Sequence, residues 1–204
     1  MELYEAIYSL RAMRRLKKDP VPVELVWKVL DAAIRAPSGG NRQPWHWIVV
    51  ADPVKKKKIG EWYLDGWTKM YGPAVQAAMT ANPDGAKVFA SADHLARNLA
   101  DVPVFIIPTV QASGVAAISG MGSSIFPAVQ NLMLAARAEG LGTTLTTLHK
   151  THEEEARELL GVPDGHETMC LIPMGWPKGK FGQGPRRPVE DVTYWESWGE
   201  RRGR

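Results

Sequence analysis

Cysteine is nearly absent: Cys170 stands alone among 204 residues. No intrachain disulfide can form, and a zinc site built from several thiolates is excluded. Long hydrophobic runs are missing as well. The longest, Val102 to Val110, is interrupted by Pro103 and Pro108 and falls short of the roughly 20 residues that a helix needs to cross a bilayer. Neither sign of charge dominates, since 25 Lys and Arg against 22 Asp and Glu leave a net +3. A nucleic-acid surface asks for a larger and more clustered excess. The opening Met1-Glu2-Leu3-Tyr4-Glu5 has no basic-then-apolar run, so we expect no secretory leader and a cytoplasmic protein.

Several catalytic signatures are also missing. Ser38, Ser123 and Ser124 lie near glycines, but no Gly-x-Ser-x-Gly elbow occurs, which leaves hydrolytic chemistry unsupported. There is no Walker loop and no Gly-x-Gly-x-x-Gly, so a dinucleotide-binding Rossmann unit is not expected. Among the histidines at 46, 94, 149, 152 and 166, only His149 and His152 are close in sequence. A third ligand is not placed with them, and we read both as exposed residues at a helix entry rather than metal ligands.

The elements that are present alternate in type. Val26, Val29, Leu30, Ala33 and Ile34 fall on one stripe of a helix over Pro22 to Arg35, and Pro37 stops it. Trp45 to Val50 reads as a buried strand after the turn-like Ser38-Gly39-Gly40-Asn41. Lys55 to Lys58 reads as a solvated helix face. Across residues 60–100 we expect a helix, a mobile loop at Asn82-Pro83-Asp84-Gly85, and a second helix from about Ala86 to Ala100. Pro103 to Ile107 suits a short central strand. Ile125 to Glu139 is apolar nearly all round, as only a buried helix is; Ser124 is its expected cap, Pro127 lies in its first turn, and Gly140 ends it. Thr143 to Leu148 is β-branched and strand-like. Thr151-His152-Glu153-Glu154 fits a capping box opening a helix that closes at Gly161. Met169 to Gly175 is expected to be a last core strand. No repeat or linker divides the chain. One α+β domain over residues 1–204 is the expectation.

The remaining polar signals are cations and amides. Arg11, Arg14 and Arg15 come early, and Arg186 and Arg187 follow a Gly-rich stretch. Guanidinium forks suit phosphate oxygens, although arginines scattered on a surface would look the same. Asn41-Arg42-Gln43-Pro44-Trp45 adds amides suited to the polar edge of a heteroaromatic ring. Trp45 itself fits either a core position or a stacking platform.

Taken in order, four blocks resemble the nitroreductase family of FMN-dependent flavoproteins. They are Arg11-Ala12-Met13-Arg14; Ala36-Pro37-Ser38-Gly39-Gly40-Asn41-Arg42-Gln43-Pro44-Trp45; Ala128 to Arg137 with Gly140-Leu141-Gly142-Thr143; and Met174-Gly175-Trp176-Pro177 with Arg186-Arg187-Pro188-Val189-Glu190. The resemblance implies an α-β sandwich, with a central, mostly antiparallel sheet flanked by helices, in an intertwined homodimer holding FMN at its interface. It implies that Arg11 and Arg186 grip the phosphate with help from the Ala12 backbone, while Arg14 lies at the pyrimidine edge. Pro37, Ser38 and Asn41 would reach the flavin from the partner subunit. Thr146, Thr147 and Leu148 would lie against the ring, one backbone N–H facing N5, with Met13, Gly39, Gln43 and Arg187 completing the cofactor-binding set. By the same resemblance, residues 1–20 form an arginine segment, 60–100 a variable lid region, and 176–204 an extension around the partner. The implied reaction carries hydride from NADH or NADPH through flavin N5 to small electron-poor acceptors, nitroaromatics or quinones, in a ping-pong cycle. Neither a metal nor a protein nucleophile is needed. Leu10 and Ala12 stand where many members have arginine and serine, which motivates a second reading: a flavin-binding or sequestering protein without turnover.

Overall fold

The strand Val104–Gln111 (β2) organises the molecule, and its sequence explains how. Val104, Ile106 and Val110 point to one side of the sheet, and Phe105 and Ile107 to the other. Both faces are covered, so the period-two alternation is apolar on both sides and the run reads as continuous. The computed structural model describes residues 1–111 and 115–203. Ahead of β2 come α1 (Leu3–Ser9), α2 (Val23–Ala33), β1 (Trp45–Val50), α3 (Pro53–Met70), α4 (Pro73–Met79) and α5 (Pro83–Asn98). After it come α6 (Val115–Ala138), β3 (Gly142–Thr143), α7 (Glu153–Leu160), β4 (His166–Thr168) and β5 (Ile172–Gly175). The sheet order is β1-β2-β5-β3, with β4 also pairing β2, and every pairing is antiparallel.

The result is three layers. On one side of the sheet, α2 and α6 bury Val29, Ala33, Ile125, Ala128 and Leu132 against Val104, Ile106 and Val110. On the other, α3 and α5 bury Ile59, Tyr63, Trp67 and Leu95 against Phe105, Ile107 and Leu171. Each large side chain fully buried here is worth about 1.5–3 kcal/mol. Trp45 belongs to the first of these cores; it is not a stacking platform.

Several local expectations are corrected. Asn82-Pro83-Asp84-Gly85 is not a loop but the start of α5: the Asn82 side chain accepts from the Gly85 amide at 2.8 Å and Pro83 occupies the first turn. A helix α4 fills the space before it. Lys56 is not solvated; it is buried, and its Nζ donates to the carbonyls of Val102 and Pro103 at 2.7 and 3.2 Å. Ser124 caps nothing, because α6 begins earlier at Val115 and carries Pro127 in its interior. Strand β2 runs past Pro108 to Gln111, because its neighbour changes there from β5 to β4 and the Pro108 carbonyl still accepts from Met169 N at 2.8 Å. That same break divides the expected strand Met169 to Gly175. Only Gly142–Thr143 of the threonine run is a paired strand, with an isolated bridge between Thr146 and Leu171. The capping box is absent: Thr151 Oγ1 donates to the Leu148 carbonyl instead. Gly161 does end α7, at φ 66°.

His149 is the largest correction. Its ring is buried, and Nε2 lies 2.8 Å from Thr168 Oγ1. The single hydroxyl proton of Thr168 goes to the Glu153 carboxylate, at 2.6 and 2.9 Å. Nε2 must therefore donate, which fixes the neutral Nε2–H tautomer. Burial pushes the imidazole down to about 4.

Candidate flavin site

The arginine segment is held by backbone bonds on both sides. Met13 N donates to Thr143 O at 2.8 Å, Lys17 N to Trp176 O at 2.8 Å, and Lys178 N to Arg15 O at 2.9 Å. Met13 and Leu16 turn inward and are buried, so Arg11, Ala12, Arg14 and Arg15 are left on the outer side. Close approach to β3 depends on Gly142: a Cβ there would sit 2.8 Å from Met13 Cβ and 2.9 Å from Leu16 Cδ2.

Outside this seam lies a cavity of about 330 Å³. Arg11, Arg14 and Arg186 line it together with Ala12, Leu10 and Gln130. Thr143 contributes to the same wall, and its buried Oγ1 has no hydrogen-bond partner. No carboxylate lines this cavity. Arg11 donates to Lys180 O at 2.7 Å and Arg186 to Pro185 O at 2.8 Å, so these guanidiniums are held by carbonyls, and neither forms an ion pair among the described residues. Such a wall suits an anion.

A second cavity, about 270 Å³, adjoins the first through Arg14, Thr144 and Leu145. Its walls are Tyr63, Trp67 and Tyr71 on one side and Thr146, Thr147 and Leu148 on the other. Trp67 and Tyr71 stack at 4.3 Å, and Trp67 Nε1 donates to Asp93 at 3.1 Å. The Tyr63 hydroxyl lies 2.9 Å from Thr146 Oγ1, and burial raises the phenol above its ordinary value. Thr146 also exchanges both backbone bonds with Leu171, at 3.0 and 2.8 Å.

The Ser38 loop stands apart from these two cavities. Ser38 Oγ accepts from Gln43 N at 3.0 Å, Gln43 Nε2 donates to Asn41 Oδ1 at 3.3 Å, and Gly39 N donates to Ser124 Oγ at 3.3 Å. Asn41 and Gln43 have φ of 52° and 50°, an arrangement that costs a non-glycine residue of order 1 kcal/mol and tends to persist at functional positions. Gly39 and Gln43 line a third cavity of about 540 Å³, beside Ser123 and Ser124 of α6. Within one chain, then, the residues expected around the cofactor fall into two groups: Arg11, Ala12, Arg14, Arg186 and Thr146 to Leu148 around the joined cavities, and the Ser38 to Gln43 loop elsewhere. Arg187 lines none of these cavities, and Pro37 is exposed beside the loop. Gln130 and Tyr63 had not been anticipated. Gln130 could have been noticed, with Asn131, as a polar pair inside a largely apolar stretch of helix.

The family model described as Nitroreductase family matches residues 7–176. The chain belongs to the Nitroreductase family. It is 30% identical over 202 residues to the NADH dehydrogenase of Thermus thermophilus, covering 91% of each chain. Among solved structures, it is similar to an iodotyrosine deiodinase bound to FMN and 3-iodo-L-tyrosine, with a TM-score of 0.77, 22% identity, and coverage of 97% and 100%. A nitroreductase with bound FMN from Desulfitobacterium hafniense gives a TM-score of 0.70 at 21% identity, covering 95% and 97%. These structures have the family's α+β fold, and the three layers described above conform to it.

Among the described residues no cluster of three metal-ligating side chains occurs. Cys170 is buried, and burial pushes its thiol up to about 12, so it is no nucleophile. Among the described residues no helix is long and apolar enough to cross a membrane.

Proposed function

We propose that this chain is an FMN-dependent oxidoreductase that takes hydride from NADH or NADPH and reduces small electron-poor acceptors, such as nitroaromatics or quinones, in a ping-pong cycle. The observation that carries the reading is the cavity walled by Arg11, Arg14 and Arg186 without a carboxylate, opening onto an aromatic cavity. These residues fit a flavin mononucleotide: one end is cationic for a phosphate, and the orphaned Thr143 hydroxyl marks a wall that expects a polar partner. Bound FMN supplies the redox chemistry, accepting a hydride and passing both electrons on.

The protein's own residues bind, orient and exclude water. Arg11 and Arg186 hold the phosphate, each as a charge-assisted donor. Arg14, shared by both cavities, would serve the pyrimidine edge of bound FMN and would stabilise the negative charge of its reduced form. The Thr146 amide is committed to Leu171, which leaves Thr147 and Leu148 as the backbone donors of this segment for the ring. Tyr63, Trp67 and Tyr71 give the second cavity one aromatic wall. Ser38, Asn41 and Gln43, remote from both cavities, act on the flavin of a second subunit in a homodimer. Exposed Trp195 and Trp198, 46% and 88% accessible, fit the reading of residues 176–204 as an extension that covers the partner. Leu10 in the cavity wall favours the alternative of a flavin-sequestering protein, which lacks turnover.

The test is direct. The purified protein should be yellow, release FMN on denaturation, and lose absorbance when NADH or NADPH is added without oxygen. Colourless protein that ignores added FMN would refute the reading, and flavin binding without steady-state NAD(P)H oxidation in the presence of a quinone would favour sequestration.

A further inference from the structure

The arginine segment has a second lined side. Arg11, Arg14 and Arg15 also border a groove of about 350 Å³ whose opposite wall is α5, through Lys87 and Ser91. No carboxylate lines it. Lys87 and Ser91 are four residues apart and His94 follows three later, so all three share one face of α5. Lys87 has one ion pair, with Asp84 at 3.2 Å, and those side chains are 77% and 85% exposed; a pair so open to water holds the lysine only weakly. Arg15 forms no ion pair among the described residues. The field at this wall is positive enough to be felt by a neighbour: the His94 ring is held below its ordinary value first by burial, then by the charges of Arg15 and Lys178.

The groove adjoins the flavin cavity, because Arg11, Ala12 and Arg14 line both. It therefore offers two further cations, Arg15 and Lys87, next to the place where hydride is delivered but outside the cavity that suits FMN. A dinucleotide donor that lays its nicotinamide over the flavin must put its two phosphates somewhere beyond the ring. On the flavin-oxidoreductase reading above, we propose that the Arg15–Lys87 groove seats the diphosphate of the nicotinamide donor. The charges match, two cations for the two negative charges of an NADH diphosphate, and the Ser91 hydroxyl adds a donor. The sequence has no Gly-x-Gly-x-x-Gly, so the glycine-rich diphosphate cradle of a Rossmann unit is not expected.

The experiment compares two donors on the FMN-loaded protein: NADH, and reduced nicotinamide riboside, which carries the same ring without the diphosphate. Arg15→Gln, Lys87→Gln and the double variant are compared with Lys57→Gln, which removes one exposed charge from α3. Two lost charge-assisted contacts should raise the KM for NADH about tenfold in the double variant, leave the KM for the riboside within about twofold, and leave FMN content unchanged. Calorimetric titration of the oxidised protein with ADP-ribose, which bears the diphosphate but cannot be reduced, should show the same weakening. An equal rise for both donors, an unchanged KM for NADH, or loss of FMN from the double variant would overturn the proposal, the last by assigning the groove to the flavin phosphate. Failure of the unsubstituted protein to bind FMN refutes the oxidoreductase reading instead, and the ADP-ribose titration still reads the groove by itself.

Discussion

The hydroxyl of Tyr63 on α3 lies 2.9 Å from Oγ1 of Thr146, tying the helical layer to the segment that walls the aromatic cavity. Thr146 is held from the other side by its paired backbone bonds to Leu171. Tyr63→Phe removes one partner and leaves the half-buried threonine hydroxyl without it, a loss of about 1 kcal/mol. Urea titration should show a lower midpoint with an unchanged slope. An unaltered midpoint would mean that water replaces the phenol at no cost.

Gly142 allows β3 to pass over the arginine segment. In Gly142→Ala the new methyl group meets Met13 Cβ at 2.8 Å and Leu16 Cδ2 at 2.9 Å. The Leu16 contact can yield by rotation, but the Met13 Cβ moves only with its backbone. Overpacking of this kind costs about 1–3 kcal/mol. Because Met13 is flanked by Ala12 and Arg14, FMN retention should fall with stability, measured as flavin remaining after gel filtration. A variant that is less stable yet retains FMN fully would separate the seam from the cavity.

His149 makes stability depend on pH with a definite sign. The folded value, about 4, lies below the unfolded value of about 6.5. Between these, the unfolded chain binds the proton and the folded chain does not, so stability rises with pH across that window and is lost as pH falls through it. The full difference is up to about 3 kcal/mol at 1.4 kcal/mol per unit. Thermal midpoints should therefore drop between pH 6.5 and 4, and His149→Gln should flatten that slope. A slope that survives the substitution would place its origin in carboxylates held below their ordinary values by their partners, such as Asp65 and Asp93.

How far the sequence could be read follows from the range of each interaction. The arginine and Ser38 blocks were legible because their residues are contiguous, and α2 and the two-sided strand β2 because periodicity is local. Asn82-Pro83-Asp84-Gly85 misled because Asn, Pro and Gly serve turns and helix starts alike; only the apolar face of α5 that follows, with Phe89, Leu95 and Ala96 buried, decides between them. The start of α6 was missed because Gly120 and Gly122 lower its helix propensity. His149 and Lys56 were misjudged because their partners are distant in sequence: Thr168 for the first, and the carbonyls of Val102 and Pro103 for the second. The cavities themselves are assembled from such distant pieces, which is why Gln130 and Tyr63 joined the site only in three dimensions.

Arg186→Ala tests the phosphate end. The side chain lines the cationic cavity, and among the described residues its hydrogen bond, 2.8 Å, is to the neighbouring Pro185 carbonyl, so its remaining donors are available. Losing a partly buried charge-assisted contact should weaken FMN binding by about 2–3 kcal/mol. Arg187→Ala, which touches none of the cavities, should have the smaller effect. Equal dissociation constants for the two variants would mean that Arg186 is merely solvated.

Arg14 separates binding from chemistry. It borders the cationic and the aromatic cavity at once, and on the proposed reading its guanidinium would meet little charge on oxidised FMN and a full negative charge on reduced FMN. An interaction stronger in one redox state than the other shifts the potential, whereas one equally strong in both changes affinity alone. Arg14→Ala should thus lower the two-electron potential of bound FMN and slow reduction by NADH beyond any loss of FMN affinity. Since about 30 mV corresponds to roughly 1.4 kcal/mol for a two-electron couple, a shift of several tens of millivolts is the expected scale. Arg14→Lys should recover much of it, because the charge matters more than the fork. Arg15 is the informative neighbour: it lines the adjoining groove and neither of these two cavities, so Arg15→Ala should leave the potential near that of the unsubstituted protein while weakening NADH binding. Potentials measured by equilibration with a reference dye decide the matter. Equal shifts for the two variants, or an unshifted Arg14→Ala, would put a different arginine at the ring.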